Sequence, residues 1–173
     1  KTLVNLESIT LFSTLVKGTA FKDLTGLKKL HTINIPLNQL TPDTYELFSA
    51  YPKLTSLDVG RCHPSEQAIK SIAKCTNLID LDISGNRTVN DRTIKYLTAL
   101  KQLKSIRLYG TNVSLKGLAE LKDLPLKQIV LPEREYEKDK LDALSKIFPH
   151  TSLIKKGESK LNKNEETIFA PLH

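Results

Sequence analysis

Much that would point to a specific chemistry is scarce in this chain. It has only two cysteines, Cys62 and Cys75, too few for the disulfide framework of a small secreted domain, and both are expected to be reduced and buried. Its seven glycines are dispersed and form no phosphate-cradling loop. Aromatic residues make up 6 %, and no motif interleaves them with basic residues as nucleic-acid readers do. No apolar run approaches the roughly 18–20 residues needed to cross a bilayer. The chain has no starting methionine and no charged-then-apolar leader, so it reads as a fragment or a processed form.

The four histidines, His31, His63, His150 and His173, give no catalytic grouping. None is placed near a serine or cysteine nucleophile with a third, orienting side chain. Surface or capping roles are expected for all four, with His63 beginning a helical segment. Neither a cofactor nor a metal is expected.

What is present describes an ordinary folded domain. The 173 residues are 39 % hydrophobic and 26 % charged, enough for one substantial core. The net charge of +7 is uneven: residues 1–86 are nearly balanced, and most of the excess lies in 87–173. The lysines look scattered over helical segments and a terminal tail, which reads as solvated surface. On that ground neither a nucleic-acid partner nor a membrane is expected.

The strongest signal is a repeat. LESITLFST from Leu6, LHTINIPLN from Leu30, LTSLDVGRC from Leu54 and LIDLDISGN from Leu78 align, followed by LKSIRLYGT from Leu103 and LKQIVLPER from Leu126. Their starts differ by 24, 24, 24, 25 and 23 residues. The fourth and sixth positions of each unit are apolar, as in Leu81 and Ile83, so one face of a short strand points inward. The ninth position holds Thr14, Asn38, Cys62, Asn86 and Thr111, small side chains suited to bonding turn backbone in the interior. Arg134 breaks that series and predicts a different turn in the sixth unit.

Helix signals lie between the strands. Thr41–Pro42 reads as a cap followed by proline at the first helical position, and HPSEQAIKSIAKC reads the same way, with Ile69 and Ile72 facing in. Asn90 and Ser114 can cap segments burying Ile94, Leu97, Leu118 and Leu121, and Leu141 and Leu144 belong to a last helix. VKGTAFKDLTGL, in the first unit, has a shorter and poorer helical signal. No unit can bury its apolar stripe alone, whereas stacked units share one core.

The pattern LxxLxLxxN, six times in phase, resembles that of leucine-rich repeats. The long helical connections resemble the ribonuclease-inhibitor-like and cysteine-containing subclasses. Cys75–Thr76–Asn77–Leu78 is similar to the Cys-Pro-Asn-Leu phrase of F-box-associated repeats, with Cys62 at their other cysteine position. Only one unit carries both cysteines, and no F-box segment is present. The Lys- and Asn-rich composition also resembles leucine-rich-repeat effectors that intracellular bacteria deliver into host cells. The resemblance implies an α/β, right-handed horseshoe solenoid with parallel concave strands and convex helices. The expected division is a repeat domain over 1–154, closed by a strand near Ser152–Ile154, and a C-terminal tail over 155–173 in which Ile168 and Phe169 could dock on the solenoid end.

In this register the third, fifth and seventh positions point outward. The central strands should therefore gather Asp58, Asp80 and Asp82, with Arg107 beside Asp82 and Tyr109 close by; Phe12 is a further aromatic in the seventh column. Two readings stand open: an Asp82–Arg107 cross-strand pair that keeps the sheet soluble, or a contact patch for a partner presenting Lys or Arg, with Tyr109, Arg107 and Phe12 as anchors. Catalysis is disfavoured, because an open, shallow sheet offers no water-excluding cleft to split two carboxylate pKa values. Two sequons occur, at Asn86 and Asn112; the first falls on an interior position where no glycan fits, which favours an intracellular, cytoplasmic protein. The expected function is a non-enzymatic scaffold binding another protein through its concave strands. The alternative is a targeting or substrate-recognition region of a larger enzyme or effector, for example one associated with a ubiquitin ligase, which as a bacterial effector would be secreted into the host cell.

Overall fold

The computed structural model describes residues 4–14, 18–133 and 136–155. Seven strands, β1 (Ser8–Thr10), β2 (Thr32–Asn34), β3 (Ser56–Asp58), β4 (Asp80–Asp82), β5 (Ser105–Arg107), β6 (Gln128–Val130) and β7 (Ser152–Ile154), form one sheet in sequence order. All neighbours are parallel, and the register matches unit to unit: Leu57 faces Leu81, which faces Ile106. Each strand is three residues long, and the middle one is buried in β1 to β6 while its neighbours turn outward. Ser105 is the exception, an outward position that is itself nearly covered.

Five short α-helices lie on the other face: α1 (Pro42–Leu47), α2 (Glu66–Ile72), α3 (Asp91–Ile94), α4 (Leu115–Ala119) and α5 (Lys138–Ile147). Tighter 3-10 turns follow α1 and α3 and replace the helix in the first unit, over Gly18–Leu24. The core runs between the two layers. Leu78, Leu81 and Ile83 from one unit and Leu103, Ile106 and Leu108 from the next are fully buried, each worth about 1.5–3 kcal/mol on removal from water. Ile69, Ile72, Ile94, Leu97, Leu118 and Leu121 meet them from the helical side, as the apolar spacing requires. Phe21, Tyr45 and Phe48 close the amino-terminal part, with edge-to-face ring pairs at 5.8 Å.

Helix starts follow local chemistry. Asn90 caps α3 with a reciprocal pair, its side chain accepting from Arg92 N–H at 2.9 Å while Thr93 Oγ1 accepts from its own N–H at 3.0 Å. Ser114 caps α4, and Pro42 sits in the first turn of α1. The second proline behaves differently from the sequence expectation. Pro64 precedes the cap rather than following it: Ser65 accepts from Ala68 N–H at 3.2 Å, and α2 starts at Glu66. His63 is therefore no helix start but an exposed turn residue with a φ of 50°. Leu144 is buried, whereas Leu141 is half-covered.

The ninth position stitches the units together. The Asn38 amide donates to Leu11 O at 2.7 Å in the preceding unit and to Ile35 O at 3.0 Å in its own. Asn86 repeats this with Val59 O at 3.0 Å and Ile83 O at 2.9 Å, and accepts from His63 N–H at 2.8 Å. Cys62 Sγ approaches Ile35 O at 3.2 Å, and Thr111 Oγ1 donates to Leu108 O at 2.7 Å. Thr14 departs from the expected interior placement and is exposed, because the first unit has no described unit before it to cover this turn. Arg134 and residues 156–173, with Ile168 and Phe169, lie outside the described residues. The eighth position is left-handed from unit to unit: Ser13, Leu37, Arg61, Gly85 and Gly110 have φ of 49°, 59°, 55°, 71° and 67°. Only two of these are glycine, the residue that adopts this region freely.

Candidate functional site

The face of the sheet turned away from the helices is open, and its centre is acidic. Asp58 and Asp82 are register partners on β3 and β4, and Asp80 faces Ser56. Strand spacing sets neighbours about 4.8 Å apart, with positions two apart on one strand about 6.6 Å apart. The three carboxylates therefore share one small triangle.

Each carboxylate has its own setting. Asp58 Oδ1 accepts Gly60 N–H at 2.8 Å, and Asp82 Oδ1 accepts Ser84 N–H at 2.8 Å. These are Asx turns, in which the side chain two residues back closes the bend after the strand. Asp82 also pairs with Arg107 Nε at 3.1 Å, both groups being mostly buried. Among the described residues no ion pair reaches Asp58 or Asp80. Burial, then the charge of Asp82, push the Asp58 carboxyl up to about 6; the Gly60 N–H and Arg107 oppose this. The sheet is thus less permissive to charge than its openness implied. One carboxylate is partly desolvated and poised near neutral pH.

Packing explains the glycine after Asp58. A Cβ on Gly60 would stand 3.1 Å from Asp58 Oδ1, so the missing side chain lets the carboxylate fold over the turn. Arg107 ends β5, and Tyr109 follows two residues later, its hydroxyl donating to Glu133 Oε1. Phe12 does not join this cluster. It is 64 % exposed, at the far end of its column and about 19 Å from Tyr109 at four strand spacings. Sequence reasoning missed the turn-closing role of Asp58 and Asp82, although Asp-x-Gly and Asp-x-Ser are readable as Asx-turn signals. It also missed Glu133, which lies in the loop after β6 beside Tyr109.

The arrangement offers cation recognition more readily than chemistry. Among the described residues no three of His, Cys, Asp and Glu come together as metal ligands would. Both cysteines are free and buried; burial pushes Cys62 up to about 11 and Cys75 up to about 12, which keeps them as thiols at neutral pH. Among the described residues no helix is long and apolar enough to cross a membrane.

One open parallel sheet, a helical layer behind it and interior stitches at a fixed period make this an α/β leucine-rich-repeat solenoid. Solved structures agree on that fold. An internalin from Listeria monocytogenes str. 4b F2365 is similar with a TM-score of 0.57 and 19 % identity, over 89 % of this chain. TLR13, solved as a TLR13–ssRNA13 complex, is similar with a TM-score of 0.62 and 21 % identity, over 87 % of this chain. The match spans 48 % of the internalin chain and 22 % of the TLR13 chain. No family model matches the sequence. Because one of these neighbours is complexed with RNA, the fold gives no ground for the expected exclusion of nucleic acid.

Proposed function

We propose that the protein is a non-enzymatic scaffold that binds another protein through its strand face, with Asp58, Asp80, Asp82, Arg107 and Tyr109 as the contact patch. The observation that carries this reading is the state of Asp58: a half-buried carboxylate on a rigid sheet, with no cation of its own among the described residues. Part of its desolvation cost is already met by the fold, so an incoming Lys or Arg gains more from it than from a fully hydrated acid. Arg107 and Tyr109 are residue types that carry binding energy at interfaces. Phe12, far along the same face, serves as an outlying anchor for a large partner. The partner is a protein with a basic surface.

Finer readings rest on fewer residues. The cysteine-containing subclass rests on Cys62 and Cys75, and the bacterial-effector reading on composition. A cytoplasmic setting is supported by two free, buried thiols and by Asn86, whose sequon is closed inside the core. The targeting-region alternative would use the same strand face as its recognition surface.

The test is capture from lysate with the native protein and with Asp58→Asn/Asp80→Asn/Tyr109→Ala, followed by titration of the identified partner against both. A partner bound by the native protein and weakened at least ~100-fold in the folded variant supports the reading. Equal binding by both moves recognition off the strand face.

A further inference from the structure

Folding assembles a second surface that the linear sequence hides. Each strand is preceded by a loop, and these loops stack along one edge of the sheet, here called the leading edge. Backbone bonds run straight along it: Thr55 N–H to His31 O, Ile79 N–H to Thr55 O, Lys104 N–H to Ile79 O and Lys127 N–H to Lys104 O, at 2.7–2.9 Å. The loops are therefore held at strand spacing, about 4.8 Å apart, over about 29 Å.

Nearly every loop of this edge contributes lysine. Lys28 and Lys29 precede β2, Lys53 precedes β3, and Lys74 precedes β4. Lys101 and Lys104 precede β5, while Lys122 and Lys127 precede β6. All are exposed, and none is in an ion pair among the described residues. His31 and His150 add two exposed imidazoles. Against them stand Glu7, Glu120 and Asp123. The opposite edge is mixed, with Arg61 and Arg87 against Glu133 and Glu137.

We propose that this leading edge docks on an anionic lipid bilayer, the lysines meeting headgroups and Val4 and Ile147 touching the boundary beneath them. Two features favour lipid over nucleic acid. The row itself is lysine, compact charges without the planar fork that reads phosphate and bases bidentately, and among the described residues no Phe, Tyr or Trp is exposed on this edge for bases to stack on. The second feature is apolar. Among the described residues the exposed large hydrophobics are Val4, Phe12 and Ile147, and two of these three, 53 % and 38 % exposed, flank the lysine row at its two ends. A row of basic residues with apolar side chains at its margins is the pattern of surface adhesion to anionic membranes. The proposal is independent of the strand-face reading, since a solenoid standing on its edge leaves that face open.

The test is co-sedimentation with phosphatidylcholine vesicles containing about 30 % phosphatidylserine, against pure phosphatidylcholine, at about 0.1 M salt. Binding to the anionic vesicles only is expected. Each lysine near the surface contributes about fivefold in affinity, so Lys53→Gln/Lys74→Gln/Lys101→Gln/Lys127→Gln should weaken binding at least ~100-fold. The control Lys95→Gln/Lys116→Gln/Lys138→Gln/Lys140→Gln removes the same charge from the helical layer, away from Ile147, and should bind within about threefold of native. Thermal melts confirm that both variants fold. Equal loss in the control overturns the proposal in favour of net charge alone. No binding to anionic vesicles, with tight binding to a short RNA duplex, overturns it in favour of nucleic acid.

Discussion

Replacing Asp58 with asparagine should make the protein more stable at neutral pH and leave it unchanged in acid. The amide oxygen still accepts the Gly60 N–H, so the turn survives, while the charge beside Asp82 disappears. The folded carboxyl titrates at about 6 against 3.8 when unperturbed. Between about pH 4 and pH 6 the unfolded chain has released this proton and the folded chain still holds it. The folded state then binds more protons, so stability falls as pH rises through that window. At about 1.4 kcal/mol for each pKa step of one, the penalty is at most about 3 kcal/mol, and solvent at this half-buried group reduces it to about 1–2 kcal/mol. Urea unfolding of both proteins at several pH values isolates Asp58 together with its coupling to Asp82, because groups not coupled to Asp58 cancel in the difference. The variant should gain about 1–2 kcal/mol at about pH 7.5 and nothing at about pH 3. A difference that is flat with pH, or a variant less stable at neutral pH, would refute the reasoning; Arg107 and the Gly60 N–H would then outweigh burial.

Three further outcomes follow from the interior. Asn86→Ala removes three hydrogen bonds, strands Ile83 O and His63 N–H, and leaves Val59 O with only the Cys62 N–H at 3.3 Å; a loss of about 2–4 kcal/mol is expected in urea unfolding, against well under about 1 kcal/mol for exposed Asn112→Ala. Gly85→Ala should cost about 1–2 kcal/mol from its φ of 71° alone. It should cost more from the collision of the new Cβ with the Arg61 side chain, and Arg61→Ala in the same protein should recover only that second part. Cys62 and Cys75, with pKa values raised to about 11 and about 12, should react with a thiol reagent at about pH 8 at least ~100-fold more slowly in the folded protein than in urea; comparable rates would show that the thiols are open to solvent.

The fold was legible because two periodicities reinforce each other. Alternation within six residues places Leu81 and Ile83 inward, and the 24-residue repeat sets Asp82 beside Arg107. The terminal strand at Ser152–Ile154 is expected on another basis, as an edge strand covering the open core beyond the clear phase of the repeat, and it pairs with β6. Helix starts were legible where one cap competed alone, as at Asn90. In HPSE two signals compete, and Ser65 wins because its hydroxyl reaches Ala68 N–H, which proline at the first position does not require. The site was legible in position but not in role. That Asp58 and Asp82 close turns follows from local Asp-x-Gly and Asp-x-Ser geometry, whereas the raised pKa of Asp58 depends on burial that only the stacked units create. The lysine row was illegible because each loop alone shows only one or two lysines, and alignment into a line is a property of the stack.

The unequal unit lengths have a consequence for how such a chain changes over generations. The fourth unit carries one residue more and the fifth one fewer than the 24 of the others, yet Asp80, Ser105 and Gln128 remain in one unbroken row. The difference is absorbed between strands, on the helical side, where α3 and α4 are four and five residues long and the remainder is turn. Small insertions and deletions there are nearly silent for the strand face, whereas a single-residue slip inside a strand would turn its core residues out to solvent. The two faces are therefore free to drift at different rates: the helical layer by length, the strand face only by substitution. A surface built this way can change what it recognises one side chain at a time without losing its ruler.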